Sequence, residues 1–150
     1  MHVVDLNAVE TVEIESALDP TRRVRVAFPI SSATGTASSA TVYFEVDPGD
    51  HVGVHVDSAE EFLVILEGSA EALVGEELGR AAAGQVVVVP SMVRHDLTNV
   101  GAGVLRVLGT FSSATVVSTF EEPVAPGGPQ VFVIGAPMPV LLPLEAGVPA

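Results

Sequence analysis

Two short segments of the chain hold the side chains best suited to chemistry. Three of the four histidines lie in residues 48–68 and 84–99. The first segment carries His55 and Glu61, and the second carries His95. Imidazole nitrogens and carboxylate oxygens are groups that bind divalent transition metals. If the two segments face each other, they therefore form a candidate site for a metal or for acid–base chemistry.

The local sequence explains how these three residues meet. A strand presents His55, a short polar turn reverses the chain, and Glu61 opens the next strand, so that imidazole and carboxylate face each other across neighbouring strands. In the second segment Pro90 ends a run of valines because it cannot donate to a ladder. His95 then starts a new strand and can point into the same cavity.

The spacing of these segments resembles the paired motifs of the cupin superfamily. The first motif has glycine, histidine, glutamate and glycine at the family's spacing, and the second has glycine, proline, histidine and asparagine. The matching residues are Gly49, His55, Glu61 and Gly68 in the first motif, and Gly84, Pro90, His95 and Asn99 in the second. The resemblance covers about residues 42–110.

This resemblance implies an all-β fold, the double-stranded β-helix or jelly-roll cupin barrel, with one divalent metal held at its mouth by His55, Glu61 and His95. Iron, manganese, nickel and zinc all suit such a ligand set. The family also implies a homodimer. It does not imply one reaction, because cupins include dioxygenases, isomerases, decarboxylases, cyclases and proteins that only bind ligands.

The chain departs from the family at one ligand position. The second histidine of the family's His-x-His pair is replaced here by Asp57. A carboxylate can still bind a metal, so Asp57 is a candidate fourth ligand, but it can instead cap the turn that follows it. Tyr43, the only tyrosine, is a candidate catalytic group beside Glu61, and its alternative role is packing in the core.

Short runs of β-branched residues between Gly, Pro, Asn, Asp and Ser clusters predict a strand-rich domain. The predicted strands are residues 11–16, 23–28, 41–46, 51–56, 61–66, 71–74, 85–89, 94–99, 104–110 and 131–134. We expect residues 1–150 to form a single cupin domain, with N-terminal strands in 10–30 and a C-terminal segment, 123–150, flanking the core. That segment is apolar, and we expect it to pack against a dimer partner or along the outside of the barrel.

Composition narrows the partners and the chemistry. The formal net charge of −13 disfavours nucleic acid and anionic membrane surfaces. All six basic residues are Arg and there is no Cys, which removes lysine Schiff bases and thiolate chemistry. The N-terminus lacks a signal-peptide pattern and the apolar tail is interrupted by Pro, so we expect a cytoplasmic protein without a membrane span.

These observations favour a metal-dependent enzyme that acts on a small organic molecule. Two alternatives stay open at this point. The cavity of a non-catalytic cupin could bind or sense a small-molecule ligand, or the barrel could be structural and free of metal, which the replacement at Asp57 makes reasonable.

Overall fold

The computed structural model describes residues 1–124 and 128–135. These residues form twelve β-strands and one three-residue 3-10 helix, Ser32–Thr34, and they contain no α-helix. The strands are β1 Val12–Glu15, β2 Arg23–Ile30, β3 Ala40–Val46, β4 His55–Asp57, β5 Glu61–Glu67, β6 Ser69–Val74, β7 Glu77–Ala82, β8 Val86–Val89, β9 His95–Asn99, β10 Leu105–Phe111, β11 Val116–Phe120 and β12 Val131–Ile134.

The strands form two antiparallel sheets of six strands each. The first sheet has the order β1-β2-β3-β10-β5-β8, and the second has the order β12-β11-β4-β9-β6-β7. Several neighbours are distant in sequence, as where β10 lies between β3 and β5. This is a jelly-roll arrangement, so the predicted all-β fold is confirmed, although the strands of the described residues pair as two sheets and not as one closed ring.

The core lies between the two sheets and follows from the alternation of side chains along each strand. In β10 every second residue is buried, as at Leu105, Val107 and Phe111, while the residues between them are half-buried. The same period places Val42 and Phe44 of β3 in the core. Strands of the second sheet add Ala70, Ala72, Leu97 and Val116 to the same cluster. Alternation thus leaves one face of each sheet to line an internal space.

All ten predicted strands are present, nine of them with shifted ends and 131–134 with the predicted bounds, and two strands were missed. The missed β7 has the sequence ELGRAA, whose Gly and Ala have low strand propensity. It forms because a tight turn at Gly75 folds it back along β6, residue against residue. The missed β11 has a typical strand sequence, VVSTF, but lies beyond the two motifs.

Strand β4 is shorter than predicted because the backbone is irregular before His55. Gly53 has φ +106°, and a Cβ atom at this position would overlap the side chain of Arg22. His51 forms only isolated bridges, with Arg22 and with Thr98. The predicted strand 51–56 is therefore interrupted at Gly53, and the regular part begins at His55.

His51 is held between two carboxylates outside the strand. Its Nδ1 lies 2.6 Å from Asp96 Oδ2, and its Nε2 lies 2.8 Å from Asp19 Oδ2. Asp96 also accepts a hydrogen bond from the Gly53 amide at 2.9 Å. The hydrogen bonds to Asp96 and Asp19 outweigh the opposing effect of burial and raise the pKa of His51 to about 9.

The C-terminal part of the chain is described only in part. β12 pairs with β11 at the edge of the second sheet, as the predicted strand 131–134 requires. The remainder of the expected packing segment, residues 125–127 and 136–150, lies outside the described residues. No helix in the described part of the chain is long and apolar enough to cross a membrane.

The first prediction concerns His51. Because the folded state raises its pKa from 6.5 to about 9, its ion pairs stabilise the fold fully below pH 6.5 and are lost as the pH rises through 9. The shift corresponds to at most about 3 kcal/mol, which solvent screening of this partly exposed group reduces to about 1–2 kcal/mol. Thermal unfolding of the protein in chelator should therefore show a falling melting temperature between pH 6.5 and 9.5.

The matched variant is His51→Gln, which cannot become charged. It should be less stable than the wild type at pH 6.5 and nearly equal to it at pH 9.5. An equally steep decline in both proteins would show that His51 is not the group responsible.

Candidate metal centre

Four ionisable side chains from three strands converge in the cavity between the sheets. His55 and Asp57 lie on β4, Glu61 begins β5, and His95 begins β9. The pairing of β4 with β9 sets His55 directly opposite His95. Glu61 approaches from the first sheet, because β5 belongs to that sheet whereas β4 and β9 belong to the second.

The polar atoms of the four side chains lie close together. Asp57 Oδ2 is 3.1 Å from His95 Nε2 and 3.6 Å from His55 Nε2, and Glu61 Oε1 is 3.4 Å from His95 Nε2. One potential ligand atom from each of His55, Asp57 and His95 lies within 4.8 Å of the others. The side chains of Asp57, Glu61 and His95 are each only 3% exposed, so this polar cluster is almost free of solvent.

Hydrogen bonds to the backbone fix the tautomer of both histidines. His55 Nδ1 lies 2.7 Å from the Gly53 carbonyl oxygen, and His95 Nδ1 lies 2.8 Å from the Val93 carbonyl oxygen. A carbonyl can only accept, so each Nδ1 carries the hydrogen and donates it. In the neutral form the lone pair of each imidazole is then on Nε2, and both Nε2 atoms face the cavity cluster. Metal-binding histidines usually donate their other ring N–H to a carbonyl or carboxylate oxygen in this way.

Two atoms at the centre of the cluster have no hydrogen-bond partner of acceptable geometry among the described residues. They are Asp57 Oδ2 and His95 Nε2, which are both buried. The other carboxylate oxygen, Asp57 Oδ1, accepts a short hydrogen bond from the Ser118 hydroxyl. Since buried polar atoms are seldom left without partners, the donor set of two nitrogens and carboxylate oxygens fits a metal ion.

Burial and neighbouring charges shift the pKa values of the cluster. Burial raises the pKa of Glu61 to about 7, and the Asp57 carboxylate contributes to the rise while His95 opposes it. Burial lowers the pKa of His55, and the nearby His95 lowers it further. Burial alone would also lower the pKa of His95, but Asp57 and Glu61 outweigh it and raise this pKa to about 10. The carboxylates therefore favour positive charge at the centre of the cluster.

Two further residues shape the site and were not found from the sequence. Ser118 orients the Asp57 carboxylate from β11, one of the two strands that were not predicted. Gly109 of β10 leaves room for Glu61, since a Cβ atom there would overlap Glu61 Oε2 and press on Val42. A glycine inside a strand is a signal for such a close approach, so Gly109 could have been found by this criterion.

Tyr43 does not reach the cluster. Its neighbours Val42 and Phe44 line the cavity, and Tyr43 points to the other face of β3. It is 1% exposed there, donates its hydroxyl hydrogen to Glu45 at 2.6 Å and accepts a hydrogen bond from Arg106 at 2.8 Å. The structure therefore gives Tyr43 a packing position and not a place in the candidate site.

The rest of the cavity wall is apolar. The cavity has a volume of about 80 Å³ and opens to solvent. Its aromatic lining consists of Phe28, Phe44, Phe111, Phe120 and Phe132, and aliphatic side chains from both sheets complete it. The ring of Phe120 stacks on that of His55, with centroids 4.6 Å apart. Apart from the four ionisable residues, Ser118 is the one polar side chain among the described lining residues.

The fold is a jelly roll whose apolar cavity contains two facing histidines and two carboxylates. Residues 42–111 match the cupin domain family. This part of the chain therefore forms a cupin domain, as its two motifs predict. None of the curated proteins has significant sequence similarity to it.

Several solved structures have the same fold. A predicted oxalate decarboxylase from Thermotoga maritima is 23% identical, with a TM-score of 0.64 over 75% of this chain and 99% of that chain. The polyketide cyclase RemF from Streptomyces resistomycificus is 19% identical, with a TM-score of 0.60 over 74% and 78%. The oxalate decarboxylase of Bacillus subtilis, described with Mn(II) centres, is 21% identical, with a TM-score of 0.57 over 71% and 30%.

These similarities concern the fold. At such identity a shared fold does not carry a shared reaction. The chain also spans only 28–30% of two of the oxalate decarboxylase chains that it resembles.

The second prediction tests the space reserved for Glu61. The methyl group added by Gly109→Ala should push both the Glu61 carboxylate and Val42 away from position 109. We expect this to lower the free energy of unfolding by about 1–3 kcal/mol. Gly79→Ala is the control, because Gly79 also lies in a strand but a Cβ atom there meets nothing within 4 Å. Chemical denaturation should show a loss in the first variant alone. If the penalty of Gly109→Ala is unchanged in a Glu61→Ala background, the overlap with Glu61 is not its cause.

Proposed function

We propose that His55, Asp57, Glu61 and His95 hold one divalent transition metal, and that the protein is a metal-dependent enzyme acting on a small organic molecule in the apolar cavity. The observation that supports this most strongly is the pair of imidazoles whose Nε2 atoms face a buried Asp57 oxygen without a hydrogen-bond partner among the described residues. Two nitrogens and two carboxylates suit Fe(II), Mn(II), Ni(II) or Zn(II).

In this proposal Asp57 replaces the imidazole that the family usually supplies. Its Oδ2 lies 3.1 Å from His95 Nε2 and 3.6 Å from His55 Nε2, so it is close to both imidazoles. Ser118 fixes the orientation of this carboxylate. Glu61 completes the set from the opposite sheet through its contact with His95. A metal bound by these side chains would supply Lewis acidity, or redox chemistry if it is iron or manganese.

The protein's own side chains would bind and orient the substrate. The phenylalanine-rich wall excludes water from the cavity and positions the apolar part of a ligand. Glu61 faces the cavity from the first sheet, so its carboxylate can exchange a proton with a molecule lying between the sheets. The chain has no Lys or Cys, and Tyr43 lies outside the cavity, so Glu61 is the proposed catalytic residue for proton transfer.

The homodimer also remains a proposal. It is supported by an exposed apolar area on the outer face of the first sheet, where Phe62 lies opposite Val88 and Val64 lies opposite Val86. This area includes the edge strand β8, whose pairing with a second copy would cover it. The proposed location in the cytoplasm rests on the sequence alone.

The third prediction concerns the metal. Protein reconstituted with Mn(II) or Zn(II) and then desalted should retain one ion per chain in elemental analysis. Changes to outer-shell partners of a metal typically weaken binding about 10–100-fold, so Asp57→Asn, which removes a ligand charge, should weaken it at least as much. His95→Ala should abolish it.

Asp50→Asn is the control for the loss of one negative charge, since Asp50 lies in the same segment but does not line the cavity. Its metal affinity should match that of the wild type. Equal metal content in wild type, Asp57→Asn and His95→Ala would refute the proposed ligand set.

The fourth prediction separates an enzyme from a protein that only binds. The metal-loaded protein, incubated with diketones, flavonoids, polyketides and sugar phosphates, should form a product that oxygen uptake or mass spectrometry detects. The product should disappear with Glu61→Gln, which keeps the shape of the side chain but removes its basicity. Tight binding with chemically unchanged ligands throughout would instead favour a binding or sensing cupin.

A further inference from the structure

The polar groups of the described cavity wall form a single cluster. The ionisable cluster and Ser118 contact one another directly. The remaining lining residues described are aliphatic or aromatic, from Ile14 and Phe28 on the first sheet to Phe132 and Ile134 on the second. A ligand in this cavity therefore meets hydrogen-bonding and charged groups at this cluster, and its remaining surface contacts hydrocarbon.

Histidine is the one kind of basic side chain among the described lining residues. The chain has no Lys, and none of its six Arg residues lines the cavity. Arg22 contacts the wall through Phe120, with its guanidinium carbon 4.7 Å from the centroid of that ring. Its Nε and Nη1 atoms are engaged with the carbonyl oxygens of Val52, Glu122 and Pro123, and its buried Nη2 has no hydrogen-bond partner among the described residues. An anionic ligand would thus meet no Lys or Arg side chain in the described wall, and with both histidines bound to a metal, that metal would be its main source of positive charge.

The two carboxylates of the cluster would balance the charge of a bound divalent metal. A divalent ion held by the Asp57 and Glu61 carboxylates and two neutral imidazoles has a net charge near zero. A dianion added to that centre would leave two uncompensated negative charges against an apolar wall, where charge is poorly solvated. A neutral molecule or a monoanion avoids most of this penalty, and its rings gain from burial against the phenylalanines.

From this distribution of charge and apolar surface we propose that the cavity selects a ring-containing, largely apolar ligand with oxygen donors at one end and at most one negative charge, and that it disfavours small dianions such as oxalate. This inference rests on the proposed function, because it concerns the ligand of the same site. It separates this chain from the oxalate decarboxylases that share its fold.

Two probes with oxygen donors test the inference. One is 1-hydroxy-2-naphthoate, a monoanion whose two fused rings are apolar, and the other is oxalate, a dianion that chelates metal ions well but has no apolar surface. Isothermal titration calorimetry of the Zn(II)-loaded protein should give at least about tenfold tighter binding of 1-hydroxy-2-naphthoate. Tighter binding of oxalate would overturn the proposal.

A matched pair of phenylalanines provides the second arm. Phe28 and Phe62 are both 45% exposed and both lie in strands of the first sheet, but only Phe28 lines the cavity. Phe28→Arg adds a cation at the cavity opening, so oxalate should bind about tenfold tighter and 1-hydroxy-2-naphthoate more weakly. Phe62→Arg should leave both affinities unchanged. Equal effects of the two variants on oxalate would count against selection by the cavity.

The metal-free protein distinguishes the failure of this inference from that of the proposed function. If the protein takes up no metal but still binds 1-hydroxy-2-naphthoate and not oxalate, the proposed metal site fails and the ligand class stands. If metal binds with the expected residues but the two probes bind equally well, the ligand class fails and the metal site stands.

Discussion

Each histidine of the site is held by a hydrogen bond from its Nδ1 to the carbonyl oxygen two residues earlier in the chain. Those carbonyls, of Gly53 and Val93, are in position only because the backbone departs from regular strand geometry just before β4 and just before β9. Gly53 has φ +106°, and Met92, next to Val93, has φ +63°, which is unusual for a residue with a side chain. The convergence of both Nε2 atoms therefore depends on two local backbone irregularities. Regular strand pairing begins only after them, at His55 in β4 and at His95 in β9.

The two buried carboxylates of the site require positive charge nearby. Placing Asp57 and Glu61 in a nearly solvent-free cavity is costly unless positive charge compensates them. Ser118 satisfies one oxygen of Asp57, and Gly109 creates the space that Glu61 occupies, but neither contributes charge. In the metal-free protein a proton near His95 can meet this need, as the raised pKa of that residue indicates. A divalent ion would meet it more fully, and in this sense the metal would also stabilise the fold.

The sequence predicted the jelly roll and the residues that come together in the cavity because both are encoded locally, in the spacing of motif residues such as His55 and His95. It could not predict Ser118, since a serine in a strand has no distinguishing pattern and its role depends on β11 lying beside β4. The polar strand β7 was missed for a related reason, as it forms through its hairpin with β6 and not through its own propensity. Tyr43 was assigned a possible catalytic role because residue type is visible in a sequence, whereas the direction of a side chain depends on which face of β3 meets the core.

Arg22 lies next to the cavity wall, over the ring of Phe120, but does not line the cavity. The absence of a side chain at Gly53 serves two purposes, since it permits the backbone conformation that supports His55 and leaves the space that Arg22 fills. The guanidinium then ties the segment around Val52 to the chain that follows β11 and lies over the ring of Phe120. Phe120 in turn stacks on His55, so an aromatic ring contacts both the fixed cation and the candidate ligand. A cation placed in the cavity itself would compete with a metal for the same carboxylates and would attract anions. The Nε and Nη1 donors of Arg22 are engaged with backbone carbonyls, whereas its buried Nη2 has no hydrogen-bond partner among the described residues. Arg22 therefore organises the wall of the cavity without lining it.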